Sequence, residues 1–251
     1  MATKVKYNLH GWPVYYDTAQ GLKEVDPVFA AVKQYDDFTQ NARNFETTTN
    51  GWAVIPAADG SKDESAGVNG GICTIVSHST DNDTAALAGS LSWYGSQCAC
   101  FEARVATHNA SASSLWIGFT DTTGLAETTG PSALAVATWT TTAVDGAWMQ
   151  YDADATNKFV HCMGVKNNTD ATAVNTAILP VADTYNYYRV MLGDNGTSTT
   201  AYFYIDGVLV ATIADILTRT TALAPAVFVG ARDGNAKTAY IDYMRVWQKR
   251  A

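Results

Sequence analysis

Charged side chains are scarce in this sequence. They make up 16% of its 251 residues, and the excess of acidic over basic residues gives a net charge of -8 and a pI near 4.8. A protein that binds duplex nucleic acid needs clustered Lys and Arg to displace counterions from phosphates. The 16 basic residues are instead scattered singly along the chain. We therefore predict that neither nucleic acid nor an anionic membrane is a partner.

Long apolar runs are also missing. No stretch approaches the roughly 18 residues that a membrane-spanning helix needs. The N-terminus reads MATKVKYNLHGWPVYYD, in which neither an apolar core nor a cleavage-type site follows Lys4 and Lys6. We expect a protein made in a cytoplasm without a signal peptide, with a processed secreted form as the alternative.

Cysteines are few: Cys73, Cys98, Cys100 and Cys162. Cys98 and Cys100 lie two apart in a predicted strand, so their side chains share a face and cannot easily form a disulfide with each other. No Cys-x2-Cys turn with matched ligands is present, which argues against a zinc site. Buried free thiols that act as small core residues are favoured. A Cys73–Cys98 or Cys100–Cys162 disulfide is the alternative.

The region from Tyr187 to Trp247 is rich in alternating β-branched and aromatic residues. Tyr202 and Tyr204 fall on one face of such a strand. The pair Asp206-Gly207 follows, and Asp-Gly is a strong hairpin signal because a type I′ turn needs positive φ at both central positions. Roughly a dozen short runs of this kind, separated by turn residues, predict an all-β sandwich.

The order of these strands resembles a known group of folds. The segments are YYRV, FYIDGVLVATI, VFVGARD and AYIDYMRVWQ, preceded by CFEARV and LWIGFTD. They resemble the concanavalin A-like jelly rolls, which include legume-type lectins, laminin-G-like domains and a class of bacterial glucanases. The resemblance spans about Trp93 to Trp247 and implies a jelly-roll sandwich of two antiparallel sheets. It implies little about function, because this sandwich serves many unrelated functions.

Residues 1–34 lie outside the resemblance and are predicted to form an extended N-terminal arm, with the sandwich in residues 35–251. Pro27–Gln34 favours a helical turn or two, because Pro stands at the first helical position. Tyr35–Gln40 is predicted to be the first strand of the sandwich. The arm is expected either to extend the sandwich or to dock on a neighbouring subunit.

The similar glucanases carry Glu-x-Asp-x-Glu or Glu-x-Asp-x-x-Glu on one strand, which places the acids for nucleophilic attack and proton donation on one face. This chain has five Glu, no two within six residues of each other, and the corresponding region, Trp139–Tyr151, holds only Asp145. Glu102 shares a strand face with Arg104, which favours a structural ion pair. We predict no catalytic residue and a protein that is not an enzyme.

The resemblance implies two ligands. Aromatic rings on a sheet face stack on sugar rings, and core packing is the alternative for each candidate. The candidates are Trp93, Tyr94, Trp116, Trp139, Trp148 and Tyr151.

Similar sandwiches also hold calcium on an outer face. Asp242 matches the ligand that the closing strand supplies, and Asp36 or Asp37 matches the ligand near the first strand. Hard oxygen ligands of this kind suit calcium. A solvated or arginine-paired aspartate is the alternative, and no cofactor is required.

Three functions follow. The first is a non-enzymatic structural or decoration protein of a virion, by analogy that of a bacteriophage, favoured by the low charge and the missing acids. Its expected partners are capsid or other virion subunits and copies of itself, contacted through the arm. The second is a carbohydrate-binding, lectin-like module for host or glycan attachment. The third and least favoured is a glycoside hydrolase or lyase with unfamiliar acids.

Overall fold

A computed structural model describes residues 4–7, 13–16, 31–36, 52–55, 71–122, 132–135 and 138–249. Most of these residues lie in strands, which confirms the all-β prediction. Within the described ranges there is no α-helix, only 3-10 turns at Gly95–Gln97 and Ala110–Ala112. None of the described helical segments has the length and apolarity needed to cross a membrane.

The described strands are numbered in chain order. The first nine are β1 (Lys4–Tyr7), β2 (Pro13–Tyr16), β3 (Ala31–Asp36), β4 (Trp52–Ile55), β5 (Cys73–Val76), β6 (Thr84–Gly89), β7 (Cys100–Thr107), β8 (Ser113–Thr120) and β9 (Ser132–Ala135). The others are β10 (Thr138–Thr141), β11 (Gly146–Asp152), β12 (His161–Lys166), β13 (Thr169–Asp170), β14 (Val174–Asn175), β15 (Asn186–Asp194), β16 (Thr199–Ile205), β17 (Val208–Leu217), β18 (Ala224–Ala231) and β19 (Thr238–Lys249).

Most of the strands form two antiparallel sheets. The eight-stranded sheet has the order β13-β12-β11-β8-β18-β6-β4, with β14 also paired to β12. The seven-stranded sheet has the order β17-β16-β15-β7-β19-β3, with β5 also paired to β19. Two further hairpins, β1–β2 and β9–β10, complete the described strands.

The main core lies between the two sheets. Strand side chains alternate between faces, so Leu115, Ile117 and Phe119 of β8 all point inward. Phe101 of β7 meets Phe119 from the opposite sheet, with ring centroids 6.0 Å apart in an edge-on arrangement. Each sheet therefore keeps a second, outer face, and these two outer faces are the surfaces on which a ligand can be sought.

The predicted Asp206-Gly207 hairpin is confirmed. Both residues have positive φ, 50° and 78°, and they connect β16 to β17. A type I′ turn requires this geometry at both positions, and a glycine adopts it without steric cost.

The helical prediction for Pro27–Gln34 is wrong over residues 31–34. Ala31–Asp36 is the strand β3, whose Gln34 lies opposite Val246 of the closing strand. This long-range pairing outweighs the local helix signal, which is a weak guide to structure. Residues 27–30 and 37–40 lie outside the described residues. The division into an arm of residues 1–34 and a sandwich of residues 35–251 stays a prediction.

All four cysteines are free. Cys73, Cys100 and Cys162 are buried, which confirms the favoured interpretation for these three. The predicted shared face of Cys98 and Cys100 is wrong, because Cys98 follows a 3-10 turn with φ of 52° and β7 begins only at Cys100. Cys98 is half-buried.

Candidate functional site

Three of the six predicted sugar-stacking residues do not lie on an outer face with the others. Trp93 and Tyr151 belong to the core between the sheets. The Tyr151 hydroxyl donates a hydrogen bond to the carbonyl oxygen of Ala110. Tyr94 is half-buried, and its backbone N–H donates to the side-chain oxygen of Gln248, 3.0 Å away. These positions leave no common platform for a sugar.

The other three candidates come together on the outer face of the eight-stranded sheet, but that face is buried. Trp116 and Trp148 are 3% and 0% exposed, and their ring centroids lie 5.4 Å apart. Trp139 is half-buried and packs against them. We call this surface the closed face; its buried members are Ala86, Ala88, Trp116, Ala143, Trp148, Met163, Val165, Ala226 and Phe228. It is a second hydrophobic core and not an open platform.

Polar groups border the closed face. His161 lies under the ring of Trp139, with ring centroids 5.3 Å apart, and its burial lowers the pKa of the imidazole. Among the described residues, His161 Nδ1 and Trp116 Nε1 are buried without a hydrogen-bond partner. The Trp148 Nε1–H donates to the side-chain oxygen of Gln150, 3.3 Å away.

The outward positions of β11 carry one carboxylate. They are occupied by Trp148, Gln150 and Asp152, since Met149 and Tyr151 face the core. Asp152 is fully buried and accepts hydrogen bonds from Arg232, including one of 2.5 Å from its Nη2. The sequence search missed this acid because it ended one residue earlier.

Asp145, the acid that the sequence search did identify, has another role. It is buried and accepts a 2.5 Å hydrogen bond from the backbone N–H of Thr218. The hydroxyl of Thr221 also donates to it, at 3.3 Å. Asp145 therefore fixes the segment that follows β17.

The outer face of the seven-stranded sheet is aromatic and charged. Its residues include six of the 13 tyrosines and three of the seven arginines of the chain. We call it the arginine–tyrosine face; it comprises Glu102, Arg104, Tyr185, Tyr187, Arg189, Tyr202, Tyr204, Tyr240, Asp242, Tyr243, Arg245 and Trp247. Most of these side chains are half-exposed, and Tyr187 is 44% exposed.

Strand register arranges this face in rows. One row runs across four strands, with Tyr204, Arg189, Glu102 and Arg245 directly opposite one another on β16, β15, β7 and β19. Successive rows on one face are two residues apart, or about 7 Å along the strands. The face therefore places aromatic rings beside charged groups.

The next row is built around an arginine. Arg104 lies opposite Tyr187 of β15 on one side and Tyr243 of β19 on the other. The rings of Tyr187 and Tyr243 have their centroids 6.2 Å apart.

Glu102 is the centre of the charged network. Its carboxylate contacts Nη2 of Arg189 at 2.6 Å and Nη2 of Arg245 at 2.7 Å. The Tyr243 hydroxyl donates a 2.5 Å hydrogen bond to the same carboxylate. Burial alone would raise the pKa of Glu102, but the two guanidinium groups and the hydroxyl outweigh it and bring that pKa below 4.5. Glu102 is therefore ionised at neutral pH.

The guanidinium groups stack on neighbouring rings. The Arg104 guanidinium lies 4.5 Å from the ring centroid of Tyr185, and that of Arg245 lies 5.0 Å from the ring of Trp247. Such cation–π contacts favour fixed positions of the arginine side chains beside the rings. The face therefore places ring surfaces, hydroxyls and N–H groups next to one another.

The calcium hypothesis stays a prediction. Asp242 forms an ion pair of 2.6 Å with Arg104, the alternative considered for this residue. Asp36 ends strand β3, and Asp37 lies outside the described residues. No group of three or more His, Cys, Asp or Glu side chains that suits a metal ion occurs in the described part of the chain.

The arginine–tyrosine face was not predicted as a site from the sequence. Tyr202 and Tyr204 were predicted to share a strand face, but most of the predicted sugar-stacking rings were tryptophans. The outward positions of the predicted strands were the available signal, because they alternate Tyr and Arg in YYRV and in AYIDYMRVWQ.

No protein-family model and no curated protein matches this sequence. Several solved structures are similar in fold. The endo-1,3-beta-glucanase of Streptomyces sioyaensis has a TM-score of 0.58 and 11% identity, over 91% of this chain and all of the glucanase. The Bacillus licheniformis beta-glucanase has a TM-score of 0.54 and 16% identity, over 87% of this chain and 98% of that protein. The Emp47p carbohydrate recognition domain has a TM-score of 0.57 and 11% identity, over 90% of this chain and the whole domain.

These neighbours correct one prediction. The structures of similar fold include glucanases and a carrageenase, which are enzymes, and this contradicts the prediction that this chain is not an enzyme. That prediction depended on one spacing of acids in the sequence. At such low identity the likeness extends to the fold, and this chain has the concanavalin A-like jelly-roll fold of the lectins and glucanases.

Proposed function

We propose that this protein binds carbohydrate through the arginine–tyrosine face. The observation that carries the proposal is the presence of half-exposed aromatic rings and polar groups on one outer face of the sheet. A sugar ring offers C–H groups to an aromatic face and hydroxyls to its neighbours, and tyrosine combines an apolar ring with a polar tip. Arg104 between Tyr187 and Tyr243 supplies N–H donors beside two rings.

The shape of the face favours an extended ligand. Small ligands are enclosed in concave pockets, whereas this face is an open sheet surface. Its rows span several residues of β15, β7 and β19, so several sugar units of a polymer can lie on it at once. A polysaccharide is therefore a better ligand for this site than a monosaccharide.

The similar structures support the ligand class. They include a carbohydrate recognition domain and several glucanases with the same fold. The location on the seven-stranded sheet is supported by side-chain exposure, since the tryptophans of the closed face are buried.

The test is affinity electrophoresis in gels that contain soluble polysaccharides. Tyr187→Ala is expected to weaken retention of the protein about tenfold, which corresponds to about 1.4 kcal/mol of binding free energy. Tyr94→Ala is the control, because it removes a half-buried tyrosine ring from a residue outside the strands that form this face. Equal retention of wild type and Tyr187→Ala on every polysaccharide that the wild type binds would refute the assignment.

Cleavage of the bound glycan is a second candidate, favoured by the glucanases among the similar structures. Glycoside hydrolysis ordinarily uses two carboxyl groups that flank the scissile bond. Asp242 is the more exposed carboxylate of the arginine–tyrosine face, with a side chain that is 32% exposed, so Asp242→Asn is the variant to compare. Release of reducing ends by the wild type and its loss in the variant support cleavage; no release from any bound polysaccharide rejects it.

The virion role stays a prediction and is compatible with glycan binding. A surface protein of a virion that binds a polysaccharide would serve host attachment. Mass spectrometry of purified virions tests the location, and deletion of residues 1–30, which keeps β3 intact, tests whether the arm is needed for incorporation. Absence of the chain from virions, or normal incorporation of the truncated chain, would count against the respective idea.

A further inference from the structure

The arginines of the arginine–tyrosine face are already charge-compensated. Glu102 lies between Arg189 and Arg245 and forms ion pairs with both, while Asp242 pairs with Arg104. Three arginines and two carboxylates leave this face with a net charge of +1, on a chain of -8. The face therefore offers little net attraction to an anion.

Glu102 occupies the place that an acidic ligand group would take. A carboxylate between two guanidinium groups is a favourable arrangement, since charge-assisted hydrogen bonds are the strongest of their kind. Here the protein supplies that carboxylate itself. A sugar carboxylate would have to compete with a buried partner that is already fixed by three contacts, whereas a sugar hydroxyl needs only a donor or acceptor beside a ring.

We propose that Glu102 sets the specificity of this face for uncharged over acidic sugar polymers. Glu102 is 5% exposed, so it acts through Arg189, Arg245 and Tyr243 and is a positioning residue that does not touch the ligand. This inference depends on the proposed carbohydrate binding by the same face.

Glu102→Gln is the informative substitution. It keeps the side-chain shape and removes the negative charge, so the net charge of the face rises from +1 to +2. Arg189 and Arg245 then lose the Glu102 carboxylate as an ion-pair partner. The variant is expected to gain affinity for an acidic polymer, whereas a purely structural role would change stability without reversing a preference.

The experiment compares a soluble β-glucan with its carboxymethyl derivative at low and high salt. Wild type is expected to bind the uncharged glucan more tightly, with an affinity that salt changes less than about twofold, because hydroxyl contacts are not screened. Glu102→Gln is expected to gain about tenfold in affinity for the carboxymethyl glucan at low salt, and to lose that gain at high salt, where exposed charges are screened.

Two further variants are controls. Glu102→Asp keeps the charge and is expected to keep the wild-type preference. Asp81→Asn makes the same charge change in the exposed turn between β5 and β6 and is expected to have no effect on the preference. If Asp81→Asn gains as much affinity for the carboxymethyl glucan as Glu102→Gln does, the overall charge of the protein, and not Glu102, sets the preference.

The outcomes separate this inference from the proposed function. A wild type that binds the carboxymethyl glucan better, in a salt-dependent way, overturns the role of Glu102 while carbohydrate binding stands. If folded Glu102→Gln keeps the wild-type preference for the uncharged glucan, the role of Glu102 is also overturned, while carbohydrate binding stands. If neither polymer binds wild type or variant, and no other polysaccharide does, the proposed function itself fails. If Glu102→Gln does not fold, a wild-type preference for the carboxymethyl glucan still overturns the inference.

Discussion

The two outer faces of the sandwich follow the same strand alternation but expose their aromatic residues differently. On the eight-stranded sheet, Trp116 and Trp148 pack with Phe228 in a second hydrophobic core. On the seven-stranded sheet, Tyr187 and Tyr243 remain at the surface beside Arg104. Both outer faces carry aromatic rings, so aromatic content alone does not identify the face that binds a ligand.

The neighbours of the rings explain the difference. On the closed face the tryptophans are surrounded by alanine, valine and methionine, which gain free energy when they leave water. On the arginine–tyrosine face every ring has a hydroxyl tip or a guanidinium beside it, and such amphipathic side chains keep their polar ends in water while their apolar parts pack. An aromatic ring therefore stays accessible to a ligand on the arginine–tyrosine face and not on the closed face.

The largest expected difference between the faces is in stability. Trp148→Ala should lower the free energy of unfolding by about 3–5 kcal/mol, because it empties a fully buried site. Tyr187→Ala should lower it by less than about 1 kcal/mol, as is usual for a surface substitution. Urea denaturation measures both. Similar losses in the two variants would show that the faces do not differ as described.

Ion pairs provide the second comparison. Asp152→Asn leaves the buried Arg232 with only the Asp154 carboxylate, 4.0 Å away, as a counter-charge and should cost about 3 kcal/mol. The matched control is Asp215→Asn, which breaks an exposed pair with Lys166 at 2.6 Å and should cost less than about 1 kcal/mol. Urea denaturation measures the loss of unfolding free energy in both variants. A loss below about 1 kcal/mol in Asp152→Asn would contradict its structural role beside the closed face.

Acid sensitivity is the smallest expected effect and depends on Glu102. Its pKa in the folded protein lies below the ordinary value of 4.5, so its ionised form favours folding. That contribution is fully present above pH 4.5 and is lost as the pH falls through the lower, folded pKa. The unfolding free energy of wild type should therefore fall more steeply below pH 4.5 than that of Glu102→Gln. Parallel pH profiles of the two proteins would rule this out.

Local signals in the sequence were sufficient for most strands. Asp206-Gly207 predicted a hairpin because the turn chemistry is contained in two residues. Ala31–Asp36 could not be predicted in this way, since its strand conformation comes from pairing with β19 more than 200 residues later.

The site was harder to predict than the fold. Glu102 and Arg189 lie 87 residues apart in sequence and meet only because β7 and β15 are neighbours in the sheet. The sequence placed Glu102 on the same face as Arg104, but its partners prove to be Arg189 and Arg245. The order of strands in the sheet determines which charged residues form ion pairs, and this order cannot be obtained directly from a single sequence. The burial of Trp116 and Trp148 likewise depends on what packs over their face.

The most direct test of the central claim compares one ring from each face in polysaccharide binding. Tyr187 represents the arginine–tyrosine face, and Trp139, which is half-buried, represents the closed face. In titrations of the folded proteins with a polysaccharide that the wild type binds, we predict that Tyr187→Ala weakens binding about tenfold, or about 1.4 kcal/mol, and that Trp139→Ala leaves the affinity within about twofold of wild type. Loss of binding in Trp139→Ala, with Tyr187→Ala unchanged, would contradict the account and place the glycan on the other sheet.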